Sequence, residues 1–285
     1  MRIGFYTSTF NDRPLEEVLD FAVEAGFDTV ELDIGGHVKT PDNVAAAVES
    51  CRDRDLFVSS ITLVGNQLDP DPAERKRLRA LTHEFAAAVD AAGVAILVIF
   101  PGRDPAMSEE DNYKSFADQA NALIAGCPGD LAFAIENWPG RANDYIATTP
   151  EGWRQLFALV PDRRFGLEYD PSHLIRLGID PYAAFDEVKD RLKILHGKDT
   201  SIDPVRLQAV GYHGAGWWRY RIPGSGLLDW PRFLEQALAA GFDGTIAIEH
   251  EDSDFGWPRK DLEARKTGER NALAFLSQVL DGLQR

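Results

Sequence analysis

The chain has 285 residues, 44 % of them hydrophobic and 27 % charged, which is typical of a globular protein with a sizeable core. A net charge of −16 argues against nucleic acid or an anionic membrane surface as the main partner, because both would be repelled. Two cysteines without a CxxC pair argue against a disulfide scaffold and against a cysteine-based zinc site.

The first half of the chain alternates short β-rich runs with longer stretches of helical periodicity. Strands are predicted at residues 2–10, 29–34, 56–64 and 95–100, and helices at residues 14–26, 43–54, 73–92 and 109–125. Gly26 ends the first of these helices, and a Pro-Gly pair follows the fourth strand.

The second half of the chain repeats this alternation. Strands are predicted at residues 131–137, 165–170, 192–196 and 245–250, and helices at residues 150–159, 181–189, 229–240 and 260–282. An irregular stretch, residues 200–226, follows the seventh strand and is rich in glycine, tryptophan and arginine.

Eight strands, each followed by a helix, indicate parallel strands joined by right-handed crossovers. Eight such units close naturally into a (β/α)8 barrel, the TIM barrel. An open doubly wound sheet would be expected to carry a Gly-rich phosphate loop after an early strand, and the turns TFNDRP and IGGHVK do not match that pattern. We therefore predict an α/β fold with a single TIM-barrel domain over residues 1–285, since no linker or composition break divides the chain.

Four late strands end in a side chain that can bind a metal ion: Glu136, Asp170, His196 and Glu249. An acidic residue directly after a buried apolar run is costly to desolvate unless it is paired or ligated. Because function in such a barrel collects at the carboxyl ends of the strands, these four side chains should converge above the barrel. Three carboxylates and one imidazole suit Mn²⁺, Mg²⁺ or Co²⁺, with Zn²⁺ as a further candidate.

Other polar residues near these strand ends are candidates for contact with a substrate. His173 can lean back over the site from three residues past Asp170, or cap the following helix. Lys198 can neutralise a substrate carboxylate or an enediolate, or simply pair with Asp199. Asn137 follows the fifth strand and can hydrogen-bond to substrate hydroxyls.

The loop after the seventh strand contains Trp217, Arg219 and Arg221 within the run Trp-Trp-Arg-Tyr-Arg. Guanidinium groups bind hydroxyls or carboxylates, and aromatic rings stack on the C–H faces of sugars. We predict that these three side chains contact substrate; a core or interface role is the alternative for the tryptophan.

The segments AIENWPG, EYDPSHL, LHGKDT, PGSGLLDW and IAIEHED resemble the sugar phosphate isomerase/epimerase family, the xylose-isomerase-like TIM barrels. The resemblance runs through the whole chain and is densest in its second half. It implies one divalent cation, commonly Mn²⁺, held by Glu136, Asp170, His196 and Glu249. It also implies that His173 contacts substrate or sits beside the metal.

Proton abstraction next to a carbonyl group is the chemistry that fits such a site. Glu136 on the fifth strand and Glu249 on the eighth are expected to face each other across the metal and to act as base and acid, with His173 as a further catalytic residue. The expected enzyme is a metal-dependent sugar isomerase or epimerase that acts on a keto sugar or a sugar derivative.

The chain departs from the family in one respect. Epimerases of free ketoses carry a further glutamate shortly after the strand-five ligand, whereas this chain has no carboxylate there before Asp144. The Glu-His-Glu-Asp ending of the eighth strand and the Trp-Trp-Arg-Tyr-Arg loop look closer to the barrel subunits of carbon-glycoside deglycosidases, which cleave 3-keto-glycosides by proton removal and elimination, as lyases do. An apurinic endonuclease is disfavoured by the charge and by the lack of histidines after strands three and four. A non-catalytic sugar-binding barrel is the remaining alternative.

The expected partner is a small-molecule carbohydrate, with neither nucleic acid nor a membrane. The start of the chain, MRIGFYTSTF, lacks the features of a signal peptide, and no apolar run approaches the roughly 20 residues that span a bilayer. We therefore expect a cytoplasmic protein. Barrels of this kind often pair, so the Trp-rich loop is also a candidate contact for a homo-oligomer or a partner subunit.

Overall fold

Eight parallel strands form a closed barrel at the centre of the protein. The computed structural model describes residues 1–127, 129–141 and 144–283. In chain order its strands are β1 (Arg2–Tyr6), β2 (Thr29–Asp33), β3 (Phe57–Leu63), β4 (Ile96–Ile99), β5 (Ala132–Glu136), β6 (Phe165–Tyr169), β7 (Leu192–Gly197), β8 (Asp199–Ile202), β9 (Trp218–Arg221) and β10 (Thr245–Ile248). All but β8 and β9 belong to the barrel, and β10 closes it by pairing with β1. The predicted (β/α)8 barrel is confirmed.

Helices surround the barrel and connect its strands. They are α1 (Leu15–Ala25), α2 (Val44–Arg52), α3 (Pro72–Ala91), α4 (Glu109–Gly126), α5 (Pro150–Leu159), α6 (Pro171–Leu177), α7 (Pro181–Val188), α8 (Pro204–Val210), α9 (Trp230–Ala239) and α10 (Leu262–Leu283). Six of them, α3 and α5–α9, begin with an Asp or Thr cap and a proline in the first turn, a combination that favours helix initiation. Within the described part of the chain, no helix is long and apolar enough to cross a membrane.

The inside of the barrel carries a buried polar layer, which β2 illustrates. Val30 and Leu32 are buried in the apolar core, and Glu31 between them is also fully buried. Because successive side chains of a strand point to opposite faces, Glu31 points into the barrel while its neighbours point outwards. There it meets Thr62 of β3 and His196 of β7.

Three segments differ from the prediction. β1 ends at Tyr6, and Thr7–Phe10 form a 3-10 turn instead of continuing the strand. The segment 200–226, predicted to be irregular, contains α8 and the antiparallel hairpin β8–β9. The two hairpin strands are separated by residues 203–217, which is too far for the short-range signal of a hairpin. Helix α6 was not predicted, because its seven residues make fewer than two turns and show no periodicity.

Candidate active site

The four predicted metal ligands lie together at the carboxyl end of the barrel. Glu136 ends β5, Asp170 directly follows β6, His196 lies in β7, and Glu249 directly follows β10. His196 Nδ1 is 3.3 Å from Glu136 Oε1, 3.2 Å from Glu249 Oε2 and 3.9 Å from Asp170 Oδ2. Parallel strands in one closed sheet end at the same edge, so residues far apart in sequence surround one point.

His173 approaches the same carboxylates from another side. The Asp170 side chain caps α6 by accepting a hydrogen bond from Ser172 N, and this cap fixes the first helical turn, on which His173 lies. His173 Nε2 is 3.0 Å from Glu136 Oε1 and 3.2 Å from Asp170 Oδ2. One ligand atom each from Glu136, Asp170, His173 and Glu249 lies within 4.8 Å of the others. Two imidazole rings thus face one group of carboxylates.

A second group of carboxylates lies on the other side of His196, inside the barrel. His196 Nε2 is 3.3 Å from Glu31 Oε2 and 3.2 Å from Glu168 Oε1, and the Thr62 hydroxyl donates a hydrogen bond to Glu31. Nε2 thus faces the acids inside the barrel and Nδ1 faces Glu136; burial acts to lower the pKa of His196, but the surrounding acids raise it well above its usual range. Sequence reasoning missed Glu168, although a lone acid within the apolar strand FGLEY was a signal for it.

Burial and charge act in opposite directions on these groups. Burial alone would raise the pKa of Glu136, but hydrogen bonds from His173 and His196 lower it well below its usual range. Burial likewise acts to raise the pKa of Glu249, yet the Lys198 ammonium lowers it to about 2. Burial and the nearby Glu31 raise the pKa of Glu168 well above its usual range. Glu136 and Glu249 at the cavity are therefore ionised, whereas the shift at Glu168 inside the barrel favours its protonated form.

Lys198 is almost completely buried among acidic groups. Its Nζ lies 3.0 Å from Asp170 Oδ2 and 3.2 Å from Glu251 Oε2, and it also contacts Glu249 Oε2. Burial alone would lower the pKa of Lys198, but these carboxylates raise it well above its usual range, so it stays charged. Lys198 does not pair with Asp199, whose carboxylate accepts hydrogen bonds from backbone and indole N–H groups.

A cavity of about 460 Å³ opens above this group of charges. Its floor includes Glu136, Lys198, Glu249 and Glu251, and its walls include the aromatic residues Tyr6, Phe100, Trp138 and Trp257. A concave site that combines aromatic walls with convergent polar and charged groups is typical of a small-molecule site. Sequence reasoning missed Glu251 and the aromatic walls; Glu251 was signalled by its place two residues past Glu249, on the same side of the chain.

The other predicted substrate contacts lie in several places. Asn137 holds the backbone of Asp170 through two hydrogen bonds, of 2.9 Å to its oxygen and 2.8 Å from its nitrogen. Trp217 is buried in the loop before β9. Arg219 and Arg221 each donate a 2.7 Å hydrogen bond to Asp254. A role in binding substrate stays a prediction for all four.

The residues around the shared point fit a divalent cation. Among the described residues, the buried atoms Asp170 Oδ2 and His196 Nδ1 find no partner with good hydrogen-bond geometry, and both face that point. Oxygen and imidazole donors with this much negative charge suit Mn²⁺, Mg²⁺, Co²⁺ or Zn²⁺.

Comparison with known sequences gives a consistent picture. Residues 19–278 match the profile of the xylose isomerase-like TIM barrel family. The protein YfiH of Bacillus subtilis (strain 168) is 24 % identical over an alignment of 302 residues, which covers 88 % of this chain and 93 % of YfiH. The inosose dehydratase of Lacticaseibacillus casei is 31 % identical over 110 residues, 37 % of each chain.

Similar structures include sugar epimerases and a zinc-containing barrel. D-psicose 3-epimerase from Clostridium cellulolyticum H10, solved with D-tagatose, has a TM-score of 0.73 at 16 % identity, covering 98 % of this chain and 99 % of its own. The IOLI protein, solved with a bound zinc atom, has a TM-score of 0.73 at 18 % identity, covering 99 % of this chain and 98 % of its own. At these identities the likeness shows the fold.

Proposed function

Because this chain belongs to the family of xylose isomerase-like TIM barrels, we propose that it is a metal-dependent sugar isomerase or epimerase that removes a proton next to a carbonyl group. Its substrate is a keto sugar or a sugar derivative. The observation that carries this proposal is the meeting of Glu136 and Glu249 at the floor of the cavity, both within 3.3 Å of one imidazole nitrogen of His196.

Glu136, Asp170, His196 and Glu249 would hold the cation, and Mn²⁺ is our choice for it. The IOLI protein, solved with a bound zinc atom, supports a metal in a barrel of this kind and keeps Zn²⁺ as the alternative. When bound, a divalent cation polarises a carbonyl group and lowers the pKa of the neighbouring C–H group.

The proton itself moves between carboxylates of the chain. Glu136 and Glu249 come from β5 and β10, so they reach a sugar carbon from different sides, one as base and one as acid. Their lowered pKa values keep both ionised at neutral pH, so either can act as the base, and the one that acts as the acid must first take up a proton from water. Lys198 contributes a permanent positive charge where negative charge develops on the substrate oxygen.

Elimination from a 3-keto-glycoside is a second candidate reaction, and Trp138 favours it. Epimerases of free ketoses have a further glutamate just after the strand-five ligand. Here the corresponding stretch places the Trp138 ring at the cavity, packed edge-on against Phe100 and Tyr145. An apolar wall at this place suits an aglycone better than it suits a further sugar hydroxyl.

The test is deuterium incorporation from D₂O, measured by NMR with the Mn²⁺-loaded protein on a panel of keto sugars and keto-glycosides. We expect exchange at one carbon beside the carbonyl group, with release of an aglycone only if elimination occurs. Glu249→Gln should reduce exchange by at least 100-fold, since it removes a proton carrier. Glu263→Gln on the exposed face of α10 is the matched control, because its side chain is 74 % exposed. Full exchange in Glu249→Gln, or sugar binding without any exchange in the wild type, would contradict the proposal.

A further inference from the structure

A chain of hydrogen bonds connects Arg176, Tyr220 and His173. Arg176 lies one turn after His173 on α6, and Tyr220 lies on β9. Arg176 Nη1 is 3.0 Å from the Tyr220 hydroxyl oxygen, which is 2.7 Å from His173 Nδ1. The Arg176 guanidinium also stacks on the Trp218 ring, 4.2 Å from its centroid. Sequence reasoning attached no role to Tyr220 or Arg176.

The direction of each hydrogen bond follows from what its groups can do. A guanidinium group only donates, so the Tyr220 oxygen accepts from Arg176. The phenol has one hydrogen, which burial retains by raising the pKa of Tyr220. Within the described part of the chain, His173 Nδ1 is the acceptor in reach of that hydrogen. When the phenol donates this hydrogen to Nδ1, that nitrogen carries none, and the neutral ring has its hydrogen on Nε2.

We infer that Tyr220 and Arg176 are positioning residues that lock His173 in the tautomer with its hydrogen on Nε2. This hydrogen faces Glu136 Oε1, which accepts it at 3.0 Å, and Asp170 Oδ2 lies 3.2 Å from the same nitrogen. The lock rests on hydrogen bonds alone. The lock has a consequence for catalysis, which rests on the proposed function: His173 donates a hydrogen bond to the Glu136 carboxylate and so holds it in place.

The lock also separates the two histidines chemically. His196 turns Nε2 to Glu31 and Glu168 and leaves Nδ1 for a cation, whereas His173 presents a hydrogen that excludes it as a ligand. A metal bound here should therefore have one imidazole ligand. The hairpin β8–β9 is a separate sheet outside the barrel, and through Tyr220 it thereby sets the tautomer of His173 on α6.

The tautomer can be read by NMR of the metal-free protein with ¹⁵N-labelled histidine, where His173→Asn identifies the signals. In the wild type we expect a protonated Nε2 and an unprotonated Nδ1 for His173. Tyr220→Phe should give a mixture of both tautomers, with the fold checked by circular dichroism. Tyr212→Phe is the matched control, since this tyrosine is 69 % exposed and precedes the same strand. A protonated Nδ1 in the wild type, or an unchanged spectrum in Tyr220→Phe, would overturn the lock.

Pulsed EPR of the protein loaded with Mn²⁺ alone tests the ligand count. The wild type should show coupling to one imidazole nitrogen, and coupling to two would refute the separation of the histidines. In the exchange assay, Tyr220→Phe should lower kcat about tenfold, the size of effect typical of groups that orient an active-site residue, with KM little changed. A wild type without turnover on any sugar would overturn the proposed function and leave the NMR result standing.

Discussion

Lys198 is the residue on which the charge balance of the site depends. Its ammonium group lies among Asp170, Glu249 and Glu251, and its Nζ is 4.5 Å from the centroid of the Tyr220 ring. A buried charge of this kind is tolerated only because opposite charges surround it. The same contacts make the three carboxylates compatible with one another when no other cation neutralises them.

Replacing Lys198 with methionine should therefore destabilise the metal-free protein. Removing one partner of a buried ion pair typically costs about 3–5 kcal/mol, and here several carboxylates lose their counter-charge. Urea unfolding in the presence of EDTA measures this loss. Mn²⁺ should then stabilise Lys198→Met more than it stabilises the wild type, because it restores the missing charge. Lys189→Met is the control, since Lys189 pairs with Asp186 at the exposed surface. Equal stability of the two variants would refute this interpretation.

Glu269 on α10 is a buried acid that does not line the cavity. It is fully buried, and neither carboxylate oxygen makes a hydrogen bond within the described residues. Burial raises the pKa of Glu269 well above its usual range, with only a weak opposing contribution from the Thr9 hydroxyl. The folded protein therefore keeps the neutral acid at a pH where the unfolded chain has lost the proton.

This raised pKa makes the stability contribution of Glu269 fall as the pH rises. Above the ordinary pKa of glutamic acid, each pH unit costs the folded state about 1.4 kcal/mol until the raised pKa is passed. Glu269→Gln stays neutral at every pH, so it should be more stable than the wild type at pH 8.5, with a gap that narrows towards pH 5.5. Urea unfolding at several pH values measures the gap. Glu263→Gln on the same helix should show no such pH-dependent difference in stability from the wild type. A difference for Glu269→Gln that stayed constant with pH would count against a buried neutral acid.

The sequence was most informative about residues at strand ends. Glu136, Asp170, His196 and Glu249 could be proposed as ligands because each follows an apolar run, and parallel strands bring such positions together. Glu168 was not proposed, because its partners His196 and Glu31 come from other strands, and the register between strands is not encoded locally. The metal-binding roles of the four proposed ligands stay predictions.

At the scale of elements, the hairpin β8–β9 depends on one buried carboxylate. Asp199 begins β8 and accepts hydrogen bonds from the backbone nitrogens of Thr200, Gly226 and Leu228 and from the Trp230 indole. These hydrogen bonds hold the segment between β9 and α9 against the start of β8. Asp199 thereby fixes the strand on which Tyr220 lies.

Asp199→Ala should loosen this hairpin more than it disturbs the barrel. Four donors lose their acceptor, and a buried donor left unpaired costs about 1–3 kcal/mol, so we expect a loss of at least about 2 kcal/mol in unfolding free energy. Hydrogen exchange should increase in residues 199–202 and 218–221, as measured by mass spectrometry. Asp203→Ala, which removes an exposed cap of α8 in the same segment, should cost about 1 kcal/mol and leave that exchange nearly unchanged. Equal exchange in both variants would contradict an anchoring role.

The elements that sequence analysis found and those that it missed differ in how local their signals are. The barrel strands are apolar runs bounded by turns, so β4 or β6 can be identified from its own residues. β8 and β9 pair across residues 203–217, and neither DTSI nor WRYR is apolar enough to indicate a strand. The 3-10 turn after β1 was missed because Thr7–Phe10 continues the β-forming composition of the strand.

At the scale of the whole molecule, the carboxyl end of the barrel concentrates negative charge. Glu31, Glu136, Glu168, Asp170, Glu249 and Glu251 lie around His196 and Lys198. Each comes from a strand or strand end of the barrel, so a cation bound among them would connect several strands. A divalent cation that binds these groups only in the folded state must stabilise the entire fold.

Metal removal should therefore lower the unfolding temperature of the whole protein in a single transition. At a free Mn²⁺ concentration 100 times the dissociation constant, mass action predicts about 2.7 kcal/mol of stabilisation, which corresponds to roughly 4–5 °C for a chain of this size. Calorimetry with EDTA and with Mn²⁺ measures the shift. Asp170→Asn is the sharpest variant, because its remaining Oδ1 can still accept from Ser172 N and keep the α6 cap, while the new amide group faces the cation. It should unfold normally and respond little to Mn²⁺, whereas a wild-type response in this variant would place the metal elsewhere.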